Sequence, residues 1–317
     1  MDLTVKVLRK FAEAEGIAAF ALGAIDGADL PPFDAGAHID VHTPAGCVRQ
    51  YSLCNAPSER SFYQIAVLQE PTGRGGSVAM HGLEPGSSLR IGIPKNHFSL
   101  VESAPRSVLF AGGIGITPLL AMAERLHALG RDFVLHYVTR SMARMAFIER
   151  IRTSGFADNV RVYHSEGAPQ GRLDIAKTMA AEKTDAHIYV CGPQGFLNAV
   201  RATAADTGWP DGHVHFEYFG GVEAHTPGDR HFDVVIHSSG QVIRVEAAQT
   251  VTEALHACGI EVQTSCEQGV CGTCLTRVLE GEIEHKDLFL SPEEQAANDQ
   301  FLPCCSRAKS ARMVLDL

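Results

Sequence analysis

Four cysteines carry the most specific spacing in this chain. Cys266, Cys271 and Cys274 lie in the run Cys266-Glu267-Gln268-Gly269-Val270-Cys271-Gly272-Thr273-Cys274, and Cys304 follows after 29 residues. The pattern C-x4-C-x2-C…C is the plant-type spacing for a 2Fe–2S cluster. One loop brings three thiolates to a compact cluster, and the fourth comes from elsewhere in the fold. Gly269 and Gly272 let the backbone wrap tightly enough for amide N–H groups to face sulfur, and such bonds tune the reduction potential. Structural zinc sites usually show two C-x2–4-C pairs, and one C-x2-C pair is present here. Cys305 adjoins Cys304. Cys304 is the preferred fourth ligand, because plant-type modules follow the ligand with a small residue and then a small polar one, as in Cys304-Cys305-Ser306. Cys47, Cys54 and Cys258 fit no motif and read as small buried hydrophobes. Such a cluster passes single electrons, so the rest of the chain can be searched for a donor and an acceptor.

A second constellation is Arg49-Gln50-Tyr51-Ser52-Leu53-Cys54-Asn55. Residues two apart on a strand share a face. Arg49 can fork onto a phosphate while Tyr51 flanks an aromatic ring. Ser52, on the other face, offers a hydroxyl and an N–H to a ring nitrogen. The loop Gly73-Arg74-Gly75-Gly76-Ser77 precedes a short helix over residues 78–81 and lets amides approach a phosphate. By itself the first string reads more readily as an ordinary barrel strand with an arginine at its edge. The glycine loop, lying between residues 68 and 78, favours a flavin.

A third constellation joins a strand to a helix: Gly112-Gly113-Ile114-Gly115-Ile116-Thr117-Pro118. It departs from G-x-G-x-x-G, but it has the same physical parts: a glycine turn, helix N-terminal amides and room for a pyrophosphate. Pro118 suits a first helical turn. Cys191-Gly192-Pro193-Gln194-Gly195 follows the strand at residues 187–190, at the carboxyl edge where an open parallel sheet binds ligands. Either turn alone reads as a tight strand–helix connection; both in this order point to a nicotinamide dinucleotide. Thr139-Arg140-Ser141 stands where the adenosine ribose would be read. Arg140 can meet a 2′-phosphate or a pyrophosphate, so the spacing leaves NADH and NADPH both open.

Three stretches position these residues. Residues 1–102 hold short apolar or alternating runs at 3–8, 18–25, 38–42, 49–53, 63–68 and 88–93, separated by turn formers, the pattern of a small antiparallel barrel. Residues 103–224 alternate strands at 108–111, 133–138, 160–164 and 187–190 with helices at 119–129 and 143–153, which predicts a doubly wound α/β sheet. After a linker at 222–229, residues 225–317 read as an α+β domain. It has a hairpin at 232–238 and 241–245, a helix at 251–258, the cysteine loop and a strand at 312–317.

The 317 residues suit two or three cores, and 45% hydrophobic with 20% charged content is ordinary for a soluble protein. No apolar run reaches membrane-span length, and the first residues carry no signal-peptide pattern, so a cytoplasmic protein is expected. A net charge of −10 argues against a nucleic-acid partner. From His225 to Leu317 there are 14 Asp/Glu and 7 Arg/Lys. Glu280, Glu282, Glu284, Asp287, Glu293 and Glu294 either steer docking to a basic partner or form a solvated face.

The ordered motifs, with Phe216-Glu217-Tyr218-Phe219-Gly220 and Cys304-Cys305-Ser306-Arg307-Ala308, extend nearly end to end. On them the chain resembles the flavin reductase components of Rieske non-haem iron oxygenase systems, of the phthalate dioxygenase reductase and vanillate demethylase reductase type. The resemblance implies a flavin barrel like that of ferredoxin reductases, a nicotinamide domain and a C-terminal β-grasp plant-type ferredoxin. It implies FMN over FAD and NADH over NADPH. It also implies that Phe219 packs by the flavin, that Ala66 and Val67 line it, and that Cys191 lies near the nicotinamide. One departure is Ala66-Val67-Leu68, where relatives often end the strand with lysine. The expected relay runs from NADH to FMN to the cluster, and thence to a Rieske-type terminal oxygenase. Thr117 and Cys191 hold the nicotinamide, Ser52 bonds near the flavin ring nitrogen, and a monomer is expected. A cytochrome P450 as acceptor is an alternative. A non-catalytic electron carrier or redox sensor is another, but it would need only the last 90 or so residues.

Overall fold

Strand-forming runs separated by glycine and proline build the first sheet of the computed structural model, which describes residues 2–317 except 74, 167–170, 220–227, 265, 266, 268 and 271. The chain divides into two units, Met1–Phe219 and Gly220–Leu317.

The first unit opens with β1 (Asp2–Ala14), β2 (Ile17–Ala24), β3 (His38–His42), β4 (Val48–Ser52), β5 (Tyr63–Leu68) and β6 (Ser88–Gly92). Helix α1 (Gly76–His81) lies between β5 and β6. The sheet order is β4-β3-β6-β1-β2-β5 with antiparallel neighbours. The edge strands β4 and β5 return to each other, and just past β4 the Cys54 amide donates to Gln64 O at 2.9 Å. This is the expected barrel, filled by Val5, Phe20, Leu22, Ile39, Val41, Ile65 and Ile91.

The same unit continues as a parallel sheet of β7 (Ser107–Gly112), β8 (Phe133–Thr139), β9 (Val160–His164), β10 (His187–Gly192) and β11 (Val214–Tyr218), ordered β11-β10-β7-β8-β9. Its helices are α2 (Ile116–Ala128), α3 (Ile148–Thr153), α4 (Ile175–Ala180) and α5 (Gln194–Asp206). Every residue of β7 is buried, as befits a strand covered on both faces. The order reverses between β7 and β10, which opens the ligand crevice at their carboxyl ends.

The helix expected at 143–153 is interrupted. A 3-10 turn covers Met142–Arg144, Phe147 takes φ 61, and α3 begins only at Ile148. Tertiary contacts override the helical pattern. Met145, Ala146 and Phe147 enter the core, Phe147 N donates to Glu13 Oε1 at 2.9 Å, and Glu15 N donates to Ala143 O at 2.8 Å. Strand β11 and helices α4 and α5 extend the expected alternation.

The second unit contains β12 (Phe232–Ile236), β13 (Val242–Val245), β14 (Thr276–Glu280), β15 (Ile283–Glu284), β16 (Gln300–Phe301), β17 (Arg307–Ala308) and β18 (Arg312–Leu315). Helices α6 (Val251–Ala257) and α7 (Pro292–Ala297) each begin with a capping box, Thr250–Glu253 and Ser291–Glu294. The main sheet is ordered β13-β12-β18-β14-β16, with β12 and β18 parallel. Val251, Ala254 and Leu255 of α6 close its core against Val234, Ile236, Met313 and Leu315. Among the described residues no helix is long and apolar enough to cross a membrane.

Candidate functional site

Strand β4 places Arg49 and Tyr51 on one face, and the glycine loop folds against them. Gly75 takes φ 81 just before α1. A Cβ on Gly76 would lie 3.1 Å from Cys47 Sγ and 3.2 Å from Arg49 Cγ, so this backbone approaches the arginine as closely as a glycine allows. The Ser77 hydroxyl accepts from Glu70 N at 3.0 Å and pins the loop, while Arg74 lies outside the described residues. Gly73 closes a turn, its amide donating to Glu70 O at 3.1 Å. Burial pushes the Tyr51 hydroxyl up to about 12, against the opposing pull of the Arg49 charge. An arginine, amides freed by glycine and a neutral tyrosine ring fit the phosphate and ring of a flavin mononucleotide. Ala66 and Val67 are buried β5 residues, and Val67 O lies 2.8 Å from His81 Nε2.

The barrel and the parallel sheet meet at a polar contact that no sequence motif assigned. The Ser52 hydroxyl donates to Glu217 Oε2 at 3.2 Å. Glu217 sits on β11 directly beside Cys191 of β10. Part of the Glu217 side chain is accessible, but its carboxyl lies deep among protein atoms. That desolvation pushes it up to about 8, with the Ser52 bond pulling it back. Burial, and then the neighbouring Glu217 charge, drive the Cys191 thiol well above its ordinary value, so it is a neutral surface rather than a nucleophile. Phe219 packs on the same apolar cluster as Ala66, Ala111 and Cys191. Ser52 and Cys191 therefore meet at Glu217, and Phe219, two residues further along, packs on the core cluster that contains Cys191. The string Phe216-Glu217-Tyr218-Phe219 contained the residue; the strand period that pairs it with Cys191 was the missing signal.

At the carboxyl ends of β7 and β10 the two glycine turns touch. A Cβ on Gly115 would collide with Cys191 O, and one on Gly192 would stand 2.8 Å from Gly112 Cα. Gly113 has φ 55. A Cβ on Gly112 would lie 2.9 Å from Pro193 Cδ. Thr117 and Pro118 are buried, and the Thr117 hydroxyl donates to Ile114 O at 3.0 Å, which fixes the turn. Arg140 is exposed beyond β8, and its carbonyl accepts from Glu166 N at 2.9 Å. This is a close backbone cradle at the switch point, with an exposed cation at one side.

In the second unit Cys274 and Cys304 are 3% and 2% exposed. Their thiols are hydrogen-bonded to each other, and the Gly269 amide bonds the Cys304 sulfur. Cys305 also touches Cys304, but its own Sγ lies 3.7 Å from both Leu302 O and Ser306 Oγ. Glu267, Gly269 and Gly272 take φ 53, 73 and 73, the winding that turns amides inward. Cys266 and Cys271 lie outside the described residues. The donor set fits a 2Fe–2S cluster: soft thiols, a backbone amide on sulfur and deep burial. Arg307 fixes the segment beyond Cys304 by donating to Gln249 O at 2.7 Å and to Arg230 O and Glu246 O at 3.0 Å.

Residues 109–202 match the oxidoreductase NAD-binding domain, and residues 234–309 match the 2Fe-2S iron-sulfur cluster binding domain. The chain is 53% identical over 293 residues to the vanillate O-demethylase oxidoreductase of Pseudomonas sp. (strain HR199 / DSM 7063), covering 92% of each. The solved structure of phthalate dioxygenase reductase, described as a modular structure for electron transfer from pyridine nucleotides to [2Fe-2S], superposes with a TM-score of 0.83. It is 38% identical and covers 100% of this chain and 98% of that one. An intact type IV self-sufficient cytochrome P450 monooxygenase matches at a TM-score of 0.80 and 40% identity, covering 100% of this chain and 41% of that one. An NAD-binding sheet in series with a flavin-type barrel and a plant-type cluster domain, over the full length of such relatives, makes the chain a member of the oxygenase reductase family that includes vanillate O-demethylase oxidoreductase and phthalate dioxygenase reductase.

Proposed function

We propose that this oxidoreductase oxidises NADH and delivers single electrons to a Rieske-type oxygenase or demethylase acting on an aromatic compound, with a vanillate-like methyl ether as the favoured substrate class. The observation that carries the reading is the Ser52–Glu217 contact, with Cys191 alongside, where the barrel meets the nicotinamide sheet. The 53% identity to a vanillate O-demethylase oxidoreductase supports the choice of partner. The flavin is FMN. The bound cofactors supply the conversion of a hydride into two single electrons.

The chain supplies placement. Arg49 and the amides of Gly75, Gly76 and Ser77 hold the flavin phosphate, Gly73 closes the turn that presents them, and Tyr51, Ala66, Val67 and Phe219 line the ring. Gly112, Gly113, Gly115, Pro118, Gly192 and Pro193 leave room for the dinucleotide, whose phosphates Arg140 meets. Thr117 fixes the first turn, and the uncharged Cys191 gives the nicotinamide an apolar wall. Ser52 offers its backbone N–H to the ring edge while its hydroxyl stays on Glu217, and Glu217, protonated near neutrality, holds the proton that balances hydride transfer. Cys266, Cys271, Cys274 and Cys304 hold the cluster. Domain limits at 1–102, 103–224 and 225–317, a monomeric state, a cytoplasmic location, and no contact with nucleic acid or membrane complete the reading.

The test is reduction of the purified protein by NADH, followed by assay with a protein one-electron acceptor. NADH should bleach flavin and cluster in the wild type. With Cys271→Ser, flavin reduction should persist and transfer to the acceptor should fall at least a hundredfold. Unchanged transfer sinks the order of the relay. The P450 match favours a second reading, in which a cytochrome P450 is the acceptor. Faster reduction of a P450 than of a Rieske oxygenase would select it.

A further inference from the structure

One buried histidine stands beside the cluster segments with half of its ring unengaged. The His285 side chain is only 10% exposed. Its Nδ1 lies 3.3 Å from Asp287 Oδ1, while Nε2 is buried without a hydrogen-bond partner among the described residues. The Asp287 side chain is 0% exposed, and an acceptor carboxyl at that distance keeps the ring hydrogen on Nδ1. Nε2 is left as a base with its lone pair unused. The turn that carries this pair is bolted to both segments that bear the cluster. The Ser306 hydroxyl, two residues past Cys304, donates to Asp287 Oδ1 at 3.2 Å and accepts from Lys286 N at 3.1 Å. Leu288 N donates to Gly269 O at 2.9 Å, and the exposed Phe289 ring rests on Gly272, where a Cβ would meet Cε2 at 2.5 Å. Leu290, whose amide donates to Asp287 Oδ2 at 2.9 Å, is buried with Cys274 and Cys304.

The cations nearby are directed to another carboxylate. Lys286 bonds Asp229 at 2.8 Å, and Arg307 lies 3.7 Å from the same group while donating to three backbone carbonyls. Glu284, which β15 sets opposite Arg307, is partly exposed, and Glu293 and Glu294 on α7 and Lys309 after β17 are exposed. An electron arriving at the cluster adds one negative charge where the protein interior screens it poorly. A proton on Nε2 opposes that charge and gives Asp287 a cationic partner, and histidine is the side chain suited to exchange a proton near neutrality. We propose that His285 takes up one solvent proton at Nε2 as the cluster takes up one electron, returns it as the electron leaves, and thereby sets the cluster's reduction potential. Charge balances at each step, since electron and proton enter together and depart together, and the oxidation of NADH supplies the electron. The exposed tenth of the side chain gives the proton its way in. The coupling is reciprocal: a proton bound more tightly to the reduced state raises the potential at low pH. His285 acts through its charge and not as a ligand, and Asp287 holds the ring. The inference rests on the cluster assignment above and holds for any acceptor that draws the electrons.

The experiment is an equilibrium redox titration of the full-length reductase loaded with FMN and cluster. Dithionite is the reductant, and the EPR signal of the reduced cluster is followed from about pH 5.5 to about pH 9, a range that spans histidine titration. The wild-type midpoint should fall as pH rises, by about 59 mV in total for a proton bound about tenfold more tightly to the reduced state. His285→Gln keeps an N–H for Asp287 but takes up no proton. Its midpoint should stay flat over the range, with a visible spectrum that reports a full cluster. A flat wild-type midpoint overturns the proposal without any variant. A fall retained in His285→Gln assigns the proton to another group and overturns it as well. A wild type without the cluster signal removes the cluster reading itself, an outcome visible before any midpoints are compared.

Discussion

At the residue scale the site is defined by one carboxyl group. Glu217 ends up beside Cys191 and under the Ser52 hydroxyl, where burial holds its proton to about pH 8. In the unfolded chain the same carboxyl ionises near its ordinary value of 4.5. Between those two values the folded state binds a proton that the unfolded state has lost, so this residue costs stability as pH rises through the window. Glu217→Gln should therefore stabilise the flavin-free protein at pH 8 and leave it unchanged at pH 4. Denaturation midpoints measured at both pH values check this, and an equal shift at the two would reject the buried protonated carboxyl. The chemistry-bearing types were legible in the string itself: cysteines at cluster spacing, an arginine and tyrosine two apart, glycines at strand ends. Glu217 was not, because a glutamate in an aromatic string has no spacing of its own. Its role depends on a partner 165 residues away.

At the scale of elements, strands are the most readable, since alternation and apolar runs impose a period on few residues. Helix α3 is shorter than its sequence pattern predicts because Phe147 leaves that pattern to fill the core, a choice made by β1 and not by local propensity. Strand β8 stores a different compromise. Its His136 lies between the rings of Phe110 and Tyr163, at 5.2 and 5.8 Å, with Nδ1 3.1 Å from the Tyr163 hydroxyl and Nε2 buried without a hydrogen-bond partner among the described residues. Burial, outweighing the opposing Glu182 charge, holds this imidazole down at about 4 against an ordinary value of 6.5. As pH falls from 6.5 towards 4 the unfolded chain takes up a proton that the folded sheet refuses, so stability is lost over that range. At ~1.4 kcal/mol per pH unit, the loss reaches about 3 kcal/mol. His136→Leu should flatten the acid limb of the stability curve by up to that amount and leave pH 8 alone. Urea titrations from pH 4 to pH 8 measure it, and an unaltered acid limb refutes the account.

At the scale of the whole molecule, charge is unevenly shared: the stretch from His225 carries −7 of the net −10. Long-range attraction to a basic acceptor is screened beyond ~8 Å at physiological ionic strength. The rate of oxygenase reduction at low acceptor concentration should thus fall severalfold between about 0.02 M and about 0.5 M salt, while flavin reduction by NADH holds steady. A flat dependence, followed by stopped-flow absorbance, would leave the acidic residues as a solvated face. Local order along the chain is enough to dictate that three main sheets form, where the glycine turns fall and which cysteines bear cluster spacing, because these depend on neighbours within a few residues. Folding in three dimensions was needed to establish that Glu217 meets Ser52, that Gly112 and Gly115 press against the Cys191–Gly192 backbone, and that Phe289 stays in water above Gly272. Each of those contacts joins segments distant along the chain, and packing and register, which no local spacing encodes, bring them together.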